Sequence, residues 1–317
     1  MGMVSTFAIR RPLVSALFAA VFSLGLPHTL LAVDGFPRFG LAYQVTHSAT
    51  IDPSLSPNGK RMVYITFVAG REQLFTADIS GSNMVQITHD DYDHEDPAWS
   101  PDGSKIAFVS LKNGGEVISM MNPDGSDVEA LTFPNVRAIH PNWGPDSRTL
   151  AYCTDDDLKP PAKNASDIDV IDTSTRKITH LVSGGVNTYP SLSPDGKQIA
   201  FRRILGEMNS EVFVASADGS GQVNLTSNPA FDGWPSWSPD GAQIAFASNR
   251  RANYEIYVMK PDGTDVRLVA NTEGRATAPA WSRDGVSIFF PICRKVGLGS
   301  DCEIFAAPVP PFSALAP

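Results

Sequence analysis

The sequence predicts an all-β protein, a six-bladed β-propeller with four antiparallel strands in each blade. The first observation is a phrase that recurs along the chain, as in PAWSPDGSKIAF (97–108) and PSWSPDGAQIAF (235–246). The second is its spacing, since the turns repeat at intervals of 44, 44, 49, 45 and 44 residues, a period typical of propeller blades. The third is the alternation of β-branched and aromatic residues between the turns, which indicates strands.

Each repeat divides into the same four elements. A first strand ends in Trp or Leu, a Pro-Asp-Gly turn follows, and a second strand carries Tyr or Phe at a fixed place. A third strand, a second Gly-containing turn and a short fourth strand complete the unit. We expect the two side-chain columns to pack each blade on the next. The columns are Leu55, Trp99, Trp143, Leu192, Trp237 and Trp281, and Tyr64, Phe108, Tyr152, Phe201, Phe246 and Phe290.

The last repeat lacks a fourth strand, because the chain after 303–307 continues only as PVPPFSALAP. The segment LAYQVT (41–46) before the first blade matches a fourth strand. Placed on the outer edge of the last blade, it would close the ring and leave no open sheet edge. The predicted propeller therefore spans 41–308, and 309–317 form a C-terminal tail.

The N-terminus differs in composition from the rest of the chain. Residues 1–32 contain two arginines, then an apolar run of 15 residues, and end near Ala32, a pattern typical of a secretory signal peptide. Residues 33–40 form a short linker. The apolar run is shorter than the roughly 20 residues of a membrane helix. We expect an exported, periplasmic protein with no transmembrane span in its mature chain, whether the signal is cleaved or kept as an anchor.

The net charge bears on the class of binding partner, and the cysteines bear on possible disulfide bonds. The formal net charge is −9 and no Lys/Arg block occurs, so we exclude nucleic-acid binding. Cys293 and Cys302 flank the segment RKVGLGSD, which could bring two adjacent strands together. They form either a disulfide across a hairpin or two separate buried thiols. Cys153 is expected in the core.

The repeat resembles a known family. The segment WSPDGAQIAFASNRRANYEIYVMKPDGTDVRLV (237–269) is similar to the repeat of the TolB propeller, a periplasmic protein of the Tol–Pal envelope system. It also resembles the WD-like propellers that precede prolyl-peptidase domains. The resemblance covers 41–308, and it implies docking of a partner such as the peptidoglycan-associated lipoprotein, Pal, on the propeller face. The α/β domain that precedes the TolB propeller is not expected here, so roles that depend on that domain are not implied.

Candidate site residues come from the positions at which the repeats differ. The residue before the proline that opens each first strand changes from blade to blade. First strands lie innermost in a propeller, so these residues should ring one mouth of the central channel. Two acids, a histidine and two aromatic residues there could hold a cation or bind a segment of a partner. The six residues are Asp52, Asp96, His140, Tyr189, Trp234 and Ala278.

The loop before the second blade, THDDYDHEDP, is rich in acids and adds His89, His94 and Glu95 to the candidate partner-binding surface. Its side chains could also bind a divalent cation such as Ca²⁺. The spacing matches no EF-hand and no zinc motif. The third interpretation is a solvated acidic loop, and we predict no cofactor.

The sequence contains no catalytic motif that we recognise. We therefore predict a monomeric scaffold that binds an envelope protein or lipoprotein at the channel mouth. The first alternative is a propeller enzyme that acts on a carbohydrate or another small molecule, with Asp52, Asp96 and His140 as the acid or base groups. The second alternative is a sensor that binds a ligand or a metal ion.

Overall fold

The structure is a computed structural model that describes residues 42–47, 49–112, 114–134, 137–154, 165–207, 209–296 and 299–311. The predicted signal peptide (1–32) and linker (33–40) lie outside the described residues, as does most of the predicted tail. Across the described part of the chain, no helix has the length and apolar character needed to cross a membrane.

The described residues form an all-β, six-bladed propeller in which each blade is an antiparallel sheet. Strands follow one another from the channel outward. The first three blades are β2 (Thr50–Leu55), β3 (Arg61–Val68), β4 (Arg71–Asp78) and β5 (Val85–Gln86); β6 (His94–Trp99), β7 (Ile106–Lys112), β8 (Gly115–Met121) and β9 (Glu129–Ala130); and β10 (Ile139–Trp143), β11 (Thr149–Cys153), β12 (Ile168–Asp172) and β13 (Ile178–Val182).

The last three blades follow the same order. They are β14 (Val186–Leu192), β15 (Gln198–Gly206), β16 (Asn209–Ser216) and β17 (Val223–Asn224); β18 (Asp232–Trp237), β19 (Ile244–Arg251), β20 (Asn253–Met259) and β21 (Arg267–Ala270); and β22 (Arg275–Ala276), β23 (Ala280–Trp281), β24 (Ser287–Val296) and β25 (Gly299–Pro308), with β1 (Tyr43–Gln44) outermost. In blade 6 the inner strand is divided into β22 and β23, which both pair with β24.

The N-terminal strand closes the ring as the sequence predicts. In β1, Tyr43 lies opposite Ala306 and Gln44 lies opposite Phe305 of β25. The pairing continues where the backbone N–H of Val45 donates to the carbonyl of Ile304 at 2.7 Å. The outer edge of blade 6 is therefore covered by the start of the chain, which ties the N-terminal end of the described residues to the last blade.

The Ser-Pro-Asp-Gly turn has a structural role, as the second blade illustrates. The hydroxyl of Ser100 donates to Asp102 Oδ1 at 2.7 Å, and Gly103 has a left-handed φ of 77°. A Cβ on Gly103 would lie 3.1 Å from Cγ of Pro57 in the preceding blade. Glycine is therefore required twice, once by the backbone conformation and once by the contact between blades.

The two predicted columns form the packing between blades. The indole N–H of Trp143, Trp237 and Trp281 donates to a backbone carbonyl of the preceding blade at 2.9–3.1 Å. In the second strands, all six Tyr and Phe side chains are at most 1% exposed. These side chains recur because every pair of neighbouring blades buries an equivalent surface.

A shared irregularity in the inner strands positions the variable residues. In each of the first five blades, the pairing between the first and second strands shifts register at the variable residue and the proline after it. In blade 1, for example, the shift lies between Ile51 and Ser54. All six variable residues have a left-handed φ between 44° and 53°, and a proline follows each of them. Such bulges redirect a side chain out of the regular alternation.

Candidate functional site

The six variable residues line one cavity, as the sequence predicts for a ring at the channel. The cavity has a volume of about 860 Å³ and runs along the inner strands. One end is formed by the variable residues at the starts of these strands, and we call this end the mouth. The other end is formed by the Ser-Pro-Asp-Gly turns, including Pro57, Pro101 and Arg283.

Four of the variable residues contact one another in sequence around the mouth. Asp96 Oδ2 accepts a hydrogen bond from the backbone N–H of His140 at 3.2 Å and lies 3.6 Å from its Nε2. The imidazole of His140 stacks on the ring of Tyr189, with centroids 3.6 Å apart. Tyr189 in turn lies 5.3 Å from the ring of Trp234. Blades 2 to 5 thus present a continuous arc that changes from acidic to aromatic.

Asp52 lies beyond the acidic end of this arc. Burial, and after it the negative charge of Glu95, raises the pKa of its carboxyl to about 6. Among the described residues, no N–H or O–H group donates to this carboxylate. Asp52 is therefore a carboxylate within the protein that faces the cavity without protein donors around it.

Two side chains beneath the arc contact its members. The sequence placed Cys153 in the core, as the structure confirms, but it predicted neither contact. Cys153 Sγ lies 3.1 Å from Nδ1 of His140, and Arg202 is fully buried. The guanidinium carbon of Arg202 lies 5.0 Å from the ring centre of Tyr189 and 5.9 Å from that of Trp234. Cation–π contacts of this kind fix the aromatic rings of the mouth from behind.

The sequence contains a signal for both residues. Each directly follows the Tyr or Phe of its second strand, a position occupied by Ile, Val, Ala or Pro in the other four blades. A charged residue at a position that is apolar in the other blades indicates that its side chain has polar or aromatic partners inside the protein. Comparison of the repeats at this column would have identified Arg202.

Blade 6 contributes positive charge to the mouth. Arg275 lies over the rings of Trp234 and Tyr254, at 5.6 and 4.8 Å from their centres. Arg294 and Lys295 also line the cavity. The acids of blades 1 and 2 and the cations of blade 6 therefore occupy different sectors of the same opening.

The structure joins Cys293 to Cys302 by a disulfide, so it favours the first of the two arrangements that the sequence left open. The two residues are cross-strand partners in the β24–β25 hairpin, and both line the cavity. The bond ties the two strands at the part of blade 6 that carries Arg294 and Lys295. Cys153 is buried and lies outside this bond.

The acidic loop before blade 2 has one exposed histidine and one buried histidine. His89 is exposed, whereas His94 is only 2% exposed and is held between Asp90 Oδ1 at 2.8 Å and Ser110 Oγ at 3.1 Å. His94 thus stabilises the loop from inside and does not lie on the mouth surface. Glu95 is partly exposed beside Asp52. The described residues contain no group of three or more His, Cys, Asp or Glu side chains placed to hold a metal ion.

Large apolar side chains are exposed at the same end of the blades as the mouth. Phe67 and Leu205 lie at the ends of second strands, and Phe133 lies in the loop between β9 and β10. Their side chains are 49%, 52% and 71% exposed. Exposed apolar side chains also occur at the opposite end of the blades, as at Val286, which is 58% exposed.

These features define a closed six-bladed β-propeller whose variable residues meet at one end of the central channel. A family model described as the TolB beta propeller domain matches residues 42–225 and 137–297. The two matches together cover most of the chain, so the chain belongs to the TolB β-propeller domain family. A search of curated protein sequences found no match.

Solved structures of similar fold include TolB proteins. A putative TolB from Agrobacterium tumefaciens has 21% identity and a TM-score of 0.64, over 85% of this chain and 97% of that protein. TolB from Acinetobacter baumannii has 21% identity and a TM-score of 0.65, over 78% of this chain and 63% of that protein. A gluconolactonase from Xanthomonas campestris has 14% identity and a TM-score of 0.62, over 84% and 88%. At these identities the likeness shows the fold alone.

Proposed function

We propose that this chain is an exported scaffold of the bacterial cell envelope that binds a protein partner through the mouth of its propeller. The partner is an envelope protein or lipoprotein of the Pal type. Membership of the TolB propeller family supports this proposal, as do the two TolB proteins among the structures of similar fold. The observation that carries it is the position of the variable residues, which all line one opening.

The surroundings of the mouth also favour a macromolecular partner. Phe67, Phe133 and Leu205 are exposed at the same end of the blades, well outside the channel. A small molecule in the channel would leave these side chains in water, whereas a docked protein would cover them. At the opposite end, the tight turns between the first and second strands pack closely against neighbouring blades.

Affinity capture from an envelope extract tests the proposal. The bait is the chain from Val33, and its mouth variant combines Asp96→Asn, His140→Gln and Trp234→Leu. A matched control combines Asp218→Asn, Asp262→Asn and Val286→Ala, which lie at the opposite end of the blades. We expect capture by the wild type and the control, and none by the mouth variant. Thermal unfolding must show that all three proteins are folded. Equal capture by the mouth variant would contradict the proposal.

Export has a separate test. The signal pattern of 1–32 predicts that periplasmic material begins near Val33. Mass spectrometry of the N-terminal peptide, after osmotic release from cells expressing the full chain, measures this directly. Retention of the whole protein in the cytoplasmic fraction would contradict export.

A second candidate function is catalysis in the same opening, and the observation that favours it is the raised pKa of Asp52. A carboxyl with a pKa of about 6 exchanges a proton near neutral pH, as a general acid or base must. Asp96 and His140 lie on the same wall of the cavity. This candidate predicts turnover of an envelope polysaccharide or a small molecule, lost in Asp52→Asn and in Asp96→Asn. A polysaccharide screen with no turnover by the wild type would remove it.

A further inference from the structure

The ring of variable side chains has a gap at blade 6. Five positions carry Asp, Asp, His, Tyr and Trp, whereas Ala278 offers only a methyl group. The inner strand of blade 6 packs between those of blades 5 and 1. The gap is therefore bounded by Trp234 on one side and Asp52 on the other, and we call it the Ala278 notch.

The Asp52 wall of the notch has a chemistry that suits an organic cation. The carboxylate of Asp52 faces the cavity, and no described residue donates a hydrogen bond to it. The indole of Trp234 is partly exposed on the other side. Arg275 of blade 6 already lies over that ring, 5.6 Å from its centre. The carboxylate is therefore the group in the notch that can receive a Lys or Arg side chain, through a charge-assisted hydrogen bond.

We propose that the Ala278 notch receives one lysine or arginine side chain of the docked partner, with its charged group on the carboxylate of Asp52. This inference rests on the proposed function and specifies which chemistry the partner must present. Asp52 gains the donor that the protein does not supply. The cost of burying its charge is thereby offset when the partner is bound.

A metal ion is the less suitable occupant of the notch. The neighbouring carboxylate of Asp96 already accepts the backbone N–H of His140 and lies beside its imidazole. No triad of metal-ligating side chains occurs in the described part of the chain. Ca²⁺ requires six to eight oxygen ligands, which Asp52 and its neighbours do not provide.

The cations of blade 6 add a second requirement. Arg275, Arg294 and Lys295 line the same cavity, so a lone positive group would be repelled as it approaches. A partner segment with a basic residue and a nearby acidic residue would match both parts of the mouth. The basic residue would meet the acids of blades 1 and 2, and the acidic residue would meet the cations of blade 6. The segment that enters the mouth should therefore carry charges of both signs.

The probe is a pair of capped peptides, Ac-Gly-Asp-Gly-Arg-Gly-NH₂ and the same peptide with citrulline in place of arginine. Citrulline keeps the shape of arginine and removes its charge. Titration into the chain from Val33, followed by NMR of the indole N–H signals, gives both dissociation constants. We expect affinity about tenfold weaker for the citrulline peptide, which corresponds to one charge-assisted hydrogen bond.

Two variants locate the site, and a third serves as the control. Asp52→Asn should reduce the affinity for the arginine peptide to that for the citrulline peptide. Ala278→Tyr should abolish binding of both by filling the notch. Tyrosine is compatible with this position, because Tyr189 adopts the equivalent backbone conformation in blade 4, with φ of 50° against 44° at Ala278. Asp195→Asn, in an exposed turn at the opposite end, should bind like the wild type.

Three results would overturn the inference. They are equal affinity for the two peptides, unchanged affinity in Asp52→Asn, and displacement of the peptide by Ca²⁺, which would make the notch a metal site. The proposed function is judged separately by capture. If Asp52→Asn still captures the envelope partner and the mouth variant does not, the proposed scaffold function stands. The proposal that a basic side chain of the partner binds Asp52 is then wrong. If the mouth variant also captures the partner, the scaffold face itself is wrong.

Discussion

The two ends of the inner strands follow opposite rules. At the turn end, the repeats carry nearly the same residues, Ser-Pro-Asp-Gly after Trp or Leu, and each turn packs against the preceding blade. At the mouth end, six positions carry five different residue types, yet their φ angles agree within about 10°. The side chains are constrained where they pack against another blade, and they vary where they face the channel.

This difference shows that the fold specifies the backbone of the mouth but not its chemistry. Asp52, His140, Trp234 and Ala278 differ in size and charge, and the same bulge presents all of them. A left-handed φ in a residue other than glycine costs of order 1–3 kcal/mol. The rest of the blade must therefore impose this conformation, because the side chains have nothing in common that would favour it.

The largest expected effect comes from two tryptophans three residues apart in β18. Trp237→Ala removes a side chain that is 8% exposed and bonded to Ser191 of the neighbouring blade. It should lower the free energy of unfolding by about 3–5 kcal/mol. Trp234→Ala, at the partly exposed mouth, should cost about 1–2 kcal/mol. Guanidinium unfolding measures both, and equal losses would break the distinction between the two ends.

The disulfide should have the next largest effect, and it acts at the mouth end. It closes a short loop, with nine residues of sequence separation between Cys293 and Cys302. The double variant Cys293→Ser/Cys302→Ser should be less stable by about 2–3 kcal/mol. Thermal unfolding with and without a reductant provides the control. The reductant should lower the melting temperature of the wild type and leave that of the double variant unchanged.

The acids at the two ends should respond to pH in opposite directions. Folding raises the pKa of Asp52 from 3.8 to about 6, so the folded protein binds more protons than the unfolded chain between these values. The contribution of Asp52 to stability is therefore present below pH 4 and is lost as the pH rises through 6. Asp52→Asn should exceed the wild type in stability by on the order of 1–3 kcal/mol above pH 7.

Asp240 is the turn-end counterpart in this comparison. The hydroxyl of Ser238 and the N–H of Ala242 hold the pKa of its carboxyl below the usual value. Its contribution is present above pH 4 and is lost as the pH falls. Asp240→Asn should therefore be less stable than the wild type at neutral pH, by a small amount because the turn is exposed. Unfolding curves at pH 3.5 and pH 8 test both variants, and a shift of the same sign in each would contradict the assignment.

The smallest expected effect is that of His89, which lies exposed in the acidic loop. His89→Ala should change stability by less than about 0.5 kcal/mol. His94→Ala, its buried neighbour, removes contacts to Asp90 and Ser110 and should cost about 1–3 kcal/mol. Chemical unfolding of the two variants distinguishes the surface of the loop from its interior.

The repeats predicted the fold almost completely, because the same packing requirement recurs every 44 or so residues and leaves the same pattern each time. The pairing of 41–46 with the last blade followed from counting strands. The ring of variable residues was also predictable, since it follows from the position of one proline in each repeat. These features are properties of the repeat itself.

What the sequence did not reveal depends on contacts between blades. Arg202 lies behind Tyr189 and Trp234, which belong to two different blades, and Arg275 reaches Trp234 from a third. The division of the acidic loop into exposed His89 and buried His94 depends on where the loop crosses β7. Such facts require coordinates, because similar spacing along the chain fits either arrangement.

The pairing of β1 with β25 also bears on the order in which the parts of the protein fold. Tyr43 and Ala306 are separated by more than 260 positions, and the blades between them contact mainly their neighbours. Each blade can therefore form as its own segment is synthesised, whereas the ring stays open until the final strand has been made. The N-terminal strand β1, and not any single blade, is then the part of the molecule that waits longest for its partner.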